Sequence, residues 1–277
     1  MMQQRPPPRH SAPVWDLPVR IFHWALVLLV FSQVVTASLG GNAMQFHALG
    51  GYAILALVLF RILWGFLGGT HARFRDFVQA PAPVMRYAKS VFAGPYPAHR
   101  RHNPLGGWSV LAMLGSLLMQ ATSGLFANDD VMMEGPLAKH VSDHASVIAT
   151  AIHDVNAAVL LTLIAVHIAA VLFYLLARKE NLIAPMITGR KPSATSLEPA
   201  RYGSVWLAAL LLGCSAAAVY FVIRILYAGS VPHAPAGRRR PADAYPDSGR
   251  QPAPRDRGCP PRSATHSPLR RRRVDRS

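Results

Sequence analysis

AIHDVNAAVLLTLIAVHIAAVLFYLLA, Ala151–Ala177, is apolar and long enough to cross a bilayer, yet it carries two histidines, His153 and His167, fourteen residues apart. At about 1.5 Å rise per residue the two lie ~21 Å apart along a helix axis. At about 100° per residue the second returns to within ~40° of the face of the first. One helix therefore points two imidazoles the same way at two depths. Polar side chains inside hydrocarbon cost several kcal/mol unless they are satisfied, so histidines placed there are functional candidates by default.

Working outward, apolar residues fall in five blocks of about the twenty needed to cross ~30 Å of hydrocarbon. They are Val19–Ser38, Phe46–Leu67, Leu105–Phe126, Ile152–Ala177 and Gly203–Tyr227. With 51% hydrophobic and 15% charged residues in a chain of 277, the composition is that of an all-α membrane protein. Residues 1–18 form a polar, Pro-rich segment with no cleaved leader expected, because the first block is long enough to remain as a span. Residues 229–277 are rich in Pro, Arg, Ser and Gly, lack a periodic apolar face and are expected to be disordered.

The net charge of +16 does not describe a nucleic-acid groove: twelve Lys and Arg against four Asp and Glu lie from Gly229 onward, half of the excess. The rest follows the loops. The N-terminal segment is basic (Arg5, Arg9, Arg20 against Asp16), Leu39–Gln45 is uncharged, and Gly68–Pro104 is basic (Arg73, Arg75, Arg86, Lys89, Arg100, Arg101 against Asp76). Ala127–Ala151 is acidic (Asp129, Asp130, Glu134, Asp143 against Lys139), and the segment after Ala177 is basic again (Arg178, Lys179, Arg190, Lys191, Arg201 against Glu180, Glu198). Positive loops stay in the cytoplasm, so the N-terminus is expected inside. The fifth span then leaves the arginine runs of the tail outside, against the rule; a shifted reading frame is the alternative account of that tail, which receives no function.

Two more histidines lie in spans, His23 near the cytoplasmic start of the first and His47 at the outer start of the second. Four inward histidines on three helices have the arithmetic of two bis-histidine haems, His47 with His153 on the outer side and His23 with His167 on the inner side. The inner match is imperfect: His167 is eleven residues short of Arg178, whereas His23 is three past Arg20. His140 and His144 are spaced as an i, i+4 metal pair in the acidic loop but lack a third ligand. Gly50, Gly51, Gly106, Gly107, Gly115 and Gly124 would let helices or a flat ligand approach the backbone. Arg61 stands fourteen residues after His47 and so falls at the inner level. A charge there wants a haem propionate or a quinone headgroup, or else it snorkels to the cytoplasmic surface.

Other chemistries are disfavoured. There is no C-x-x-C-H for covalent haem, only Cys214 and Cys259 for any cluster, and no nucleophile elbow, H-E-x-x-H, Walker loop or dinucleotide fingerprint. Asp154 is the one carboxylate within the five blocks, which argues against a proton-coupled carrier.

The stretches WDLPVRIFHW (Trp15–Trp24), FHALGGY (Phe46–Tyr52), FRILWGFLGGTHARF (Phe60–Phe74) and IHDVNAAVLLTLIAVH (Ile152–His167) resemble the bacterial cytochrome b561 family, which includes membrane cytochrome b subunits of nickel–iron hydrogenases. The resemblance runs from about Val14 to Lys191. It implies a four-helix transmembrane bundle over residues 19–191 that binds two b haems through His23, His47, His153 and His167, with a fifth transmembrane helix at 203–227 added. It also implies an electron carrier of the bacterial inner membrane, working between a quinone pool and a redox partner such as a c-type cytochrome or a hydrogenase. The other reading is a non-redox subunit that anchors a larger complex, its histidines merely bridging helices.

Overall fold

The computed structural model describes residues 10–70, 72–93, 104–128, 133–193 and 202–228. The expected disorder of residues 229–277 lies outside them, as do the side chains of Arg5, Arg9, His71, His99, Arg100, Arg101, His102, Asp129, Asp130, Glu198 and Arg201. By contacts the chain divides at Val231, and the second unit, Pro232–Ser277, is likewise undescribed.

The described elements run β1 (His10–Pro13), α1 (Leu17–Leu39), α2 (Met44–Leu67), α3 (Phe74–Phe77), α4 (Pro81–Ala93), α5 (Pro104–Phe126), α6 (Asp143–Leu176), α7 (Ile183–Thr188), β2 (Arg190–Ser193) and α8 (Val205–Ala228). Among the described residues five helices are long and apolar enough to cross a membrane, which bears out the all-α membrane architecture with a fifth C-terminal helix.

Local chemistry sets the ends. Asp16 caps α1, its Oδ1 accepting from the Val19 amide at 3.0 Å, and Pro18 fits the first turn, where no amide partner is needed. Gly40 and Gly41, at φ +60° and +53°, close α1 and turn the chain through the short 3₁₀ turn Gly41–Ala43 into α2. Ser142 caps α6 by accepting from the Ala145 amide at 3.3 Å. The helix therefore starts at Asp143, nine residues before the apolar block, and its 34 residues make ~51 Å, longer than the hydrocarbon alone requires.

α2 is the central helix. It packs on α1, α5 and α8, and its Val58 and Trp64 are fully buried. At the end where α1 begins, the core joins Val19, Phe22, Val58, Phe60, Trp64, Leu114 and Leu117 with Ala208 of α8. At the hairpin end, Leu55, Ala56, Leu125 and Leu137 meet Val219 of α8. α8 thus runs beside α2 from one end to the other. Lipid is as apolar as these side chains, so close packing and hydrogen bonds, rather than water exclusion, hold such helices together.

α6 packs extensively along α5 and not along α1 or α2. The helix that carries two of the histidines therefore stands across the bundle from the α1–α2 pair that carries the other two.

Two features were absent from the sequence expectation. The Gly68–Pro104 segment is not all loop, because α3 and α4 lie in it and pack on α5. The N-terminal segment forms a two-stranded antiparallel sheet, His10 opposite Ser193 and Pro13 opposite Arg190.

Candidate functional site

His47 sits in the first turn of α2 and His153 in the third turn of α6. Their ring centroids are 6.2 Å apart, with the planes at 75°. With metal–imidazole bonds of about 2 Å on each side, the centroids of two rings sharing one metal lie about 6 Å apart. The separation fits two imidazoles facing a single iron.

The second nitrogens fit as well. His47 Nδ1 donates to the Gln33 carbonyl of α1 at 3.2 Å, with Thr36 Oγ1 at 3.4 Å. His153 Nδ1 donates to the Gln120 carbonyl of α5 at 3.0 Å, with Ser123 Oγ at 3.3 Å. A carbonyl oxygen only accepts, so each bond places the proton on Nδ1 and leaves the lone pair on Nε2, as a metal ligand requires. Such an outer acceptor also fixes the ring plane and raises its basicity.

The surrounding residues make room for these rings. A Cβ on Gly124 would stand 2.9 Å from His153 Cε1, so only glycine lets that ring lie against α5. Gly50 admits the Gln33 side chain, whose Oε1 would collide with a Cβ there, and Gln33 Nε2 in turn donates to the His47 carbonyl at 2.9 Å. Gly115 meets nothing within 4 Å of its Cβ position.

His23 and His167 lie in the other half of the bundle, within electrostatic range of each other, and both rings are half-buried. His23 meets Trp24 edge-on at 5.1 Å, and its Nδ1 is buried without a hydrogen-bond partner. His47 and His153 thus stand in direct ring contact, and His23 and His167 within electrostatic range of each other.

Arg61 is 4% exposed. Its Nη1 donates to the Ala72 carbonyl at 3.2 Å, and the guanidinium lies over Phe74 at 5.3 Å and Phe77 at 6.0 Å. Asp16, itself buried, lies within electrostatic range and also accepts from Trp64 Nε1 at 3.0 Å. α3 and its approach cover the guanidinium. Arg20 and Trp24 stand in a separate place. Those two line a groove between α1 and α7 with Leu17, Ile21, Leu28, Met186 and Ile187. There the Arg20 guanidinium donates to the Ile187 carbonyl and Trp24 Nε1 to that of Met186 at 3.4 Å.

His140 and His144 do not share a helix face: the first ends a 3₁₀ turn and the second begins α6. Among the described residues no group of three or more His, Cys, Asp or Glu could hold a metal ion. The spans contribute imidazoles in twos.

Sequence reasoning missed Gln33, Gln120 and Asn156, polar residues inside apolar spans. The same rule that singled out the histidines could have found them.

Compared with known families, residues 14–189, well over half of the chain, match the family model described as prokaryotic cytochrome b561. The comparisons with curated proteins and with solved structures gave no match.

Proposed function

The chain belongs to the prokaryotic cytochrome b561 family, membrane b-type cytochromes that carry electrons, and from that premise we propose a carrier with two haem b groups at two depths of one bundle. His47 and His153 hold one haem and His23 and His167 the other, as axial ligands. The observation that carries this reading is the 6.2 Å ring pair with both Nδ1 atoms committed to backbone carbonyls.

Bound haem supplies reversible one-electron chemistry. The chain's residues do the rest. His153 and His167 stand about 21 Å apart along α6, each at a level that would hold one haem. The Gln33 and Gln120 carbonyls hold two of the rings in the ligating tautomer. Arg61 keeps a fixed positive charge beneath α3, where its field would favour an anionic carboxylate or a quinone headgroup nearby without touching it. The protein works in the bacterial inner membrane between a quinone pool and a periplasmic or membrane-associated redox protein, a c-type cytochrome or a hydrogenase. Arg20, Arg73, Arg86, Lys89 and Arg178 gather at the end where α1 begins, and Glu134 and Asp143 at the other, which supports a cytoplasmic N-terminus.

The test is a reduced-minus-oxidised spectrum and a haem count on the detergent-purified chain. Two b haems per chain are expected. A colourless protein, expressed with ample porphyrin, ends the reading and leaves a membrane anchor.

A further inference from the structure

Asn156 lies three residues after His153, on the face of α6 that meets α5, and is 6% exposed. Three hydrogen bonds tie its amide to one turn of α5. Its Nδ2 donates to the Ser116 carbonyl at 2.9 Å and to Gln120 Oε1 at 2.7 Å, and its Oδ1 accepts from Ser116 Oγ at 3.0 Å. The Ser116 carbonyl can only accept, which fixes the orientation of the amide. Ser116 is itself buried, so the three bonds form a buried polar knot between α5 and α6.

The knot sits one turn from the bond that orients His153. Gln120 belongs to both: its side chain is held by Asn156, and its backbone carbonyl accepts from His153 Nδ1 at 3.0 Å. Two anchors one turn apart on α6, residues 153 and 156, thus grip α5 over the segment 116–123. Leucine-like contacts between helices can slide, whereas an amide with both donors and its oxygen engaged has one register. A carbonyl that moved by a fraction of an ångström relative to α6 would lengthen the His153 bond or tilt the ring.

We propose that Asn156 is a positioning residue for His153: by locking Ser116 and Gln120 it holds the carbonyl that orients the ligand and so sets the potential of the haem held there. The inference rests on the proposed haem ligation and adds a residue that touches neither ring nor iron. A firm Nδ1–H···O=C bond makes the imidazole a stronger donor, which favours the ferric state. Loosening it raises the potential.

The test is potentiometric titration and ferric low-spin EPR of the full haem-loaded chain in detergent. The haem lost in His153→Ala identifies the affected signal. In Asn156→Ala that haem's reduced-to-oxidised ratio at a fixed ambient potential rises about tenfold, or ~59 mV for a one-electron couple, with a changed EPR signal. The second haem is unmoved. Gln120→Leu, which removes one of the three bonds and spares the backbone carbonyl, gives a smaller shift of the same sign. Leu160→Ala, a buried apolar truncation one turn further along the same helix, lowers thermal stability and shifts neither haem. The proposal is overturned if Asn156→Ala leaves both haems unchanged or moves both alike. If that variant does not accumulate, an unshifted Gln120→Leu overturns it. A wild-type chain without haem fails at the first spectrum and removes the ligation reading together with this one.

Discussion

The His47–His153 and His23–His167 pairs share α6 but are held in different ways. In the first, both Nδ1 atoms rest on backbone carbonyls of neighbouring helices and the rings already stand at the spacing one iron would demand. In the second, His23 Nδ1 is buried without a partner and the ring leans edge-on against Trp24. One tight hairpin and one closely packed helix pair explain the contrast. α1 turns into α2 within a few residues, so Gln33 is forced beside His47, and the α5–α6 packing forces Gln120 beside His153. At the other end the neighbouring segments are joined by longer connections and short helices, so fewer carbonyls are delivered to fixed places. The polypeptide holds the first pair through backbone carbonyls and gives His23 Nδ1 no such acceptor.

The largest expected effect breaks the comparison outright. Replacing His47 or His153 by Ala removes the same haem, half of the b-type absorbance, and replacing His23 or His167 removes the other. Loss of different haems from His47→Ala and His153→Ala would refute the pairing. Next is retention: the haem of the carbonyl-held pair leaves about tenfold more slowly when the chain is challenged with a haem-accepting apoglobin. Equal loss rates would mean that the carbonyls contribute nothing to holding the group.

Smaller changes sharpen the contrast. Gly124→Val intrudes on the His153 ring and speeds loss of that haem by about tenfold, while Gly115→Ala, facing open space, stays within about 0.5 kcal/mol of wild type. At the opposite end, Asp16→Ala removes the cap of α1 and the acceptor for Trp64 Nε1. That costs about 1–2 kcal/mol. Thermal unfolding should show the loss, and the spectrum of the His23-bound haem should broaden while that of the His47-bound haem does not.

How much of this was legible in the sequence follows from what residue identity encodes. The spans could be read because bilayer thickness demands a countable apolar run, and the four imidazoles because a polar ring inside such a run stands out. The start of α6 could not be placed from hydropathy, since Asp143–Ala151 is polar enough to read as loop and only the Ser142 cap makes it helix. β1 and β2 pair across 180 residues of chain, and Asp16 meets Trp64 across 48, so neither has a local signature. Arg61 could be placed by depth, but its neighbours Ala72, Phe74 and Phe77 come from a segment that read as loop. The carbonyls that orient His47 and His153 are a deeper case. Every residue carries one, so the identities of Gln33 and Gln120 say nothing about that role.

That last point has a direct test, and it is where the smallest effect is expected. Thr36 and Ser123 place hydroxyls at 3.4 Å and 3.3 Å from the Nδ1 atoms of His47 and His153, longer than the usual span for a good bond. Thr36 Oγ1 already donates to the Ser32 carbonyl at 2.7 Å and Ser123 Oγ to that of Gln120 at 3.2 Å, so neither proton is needed by a ring. If backbone carbonyls carry the orientation, Thr36→Val and Ser123→Ala change stability by no more than about 0.5 kcal/mol and leave haem loss nearly unaltered. Either substitution matching Gly124→Val in haem loss would shift the role from backbone to side chain. The carbonyl-held pair would then owe its order to residue identity, and its contrast with the His23–His167 pair would no longer be one of helix geometry.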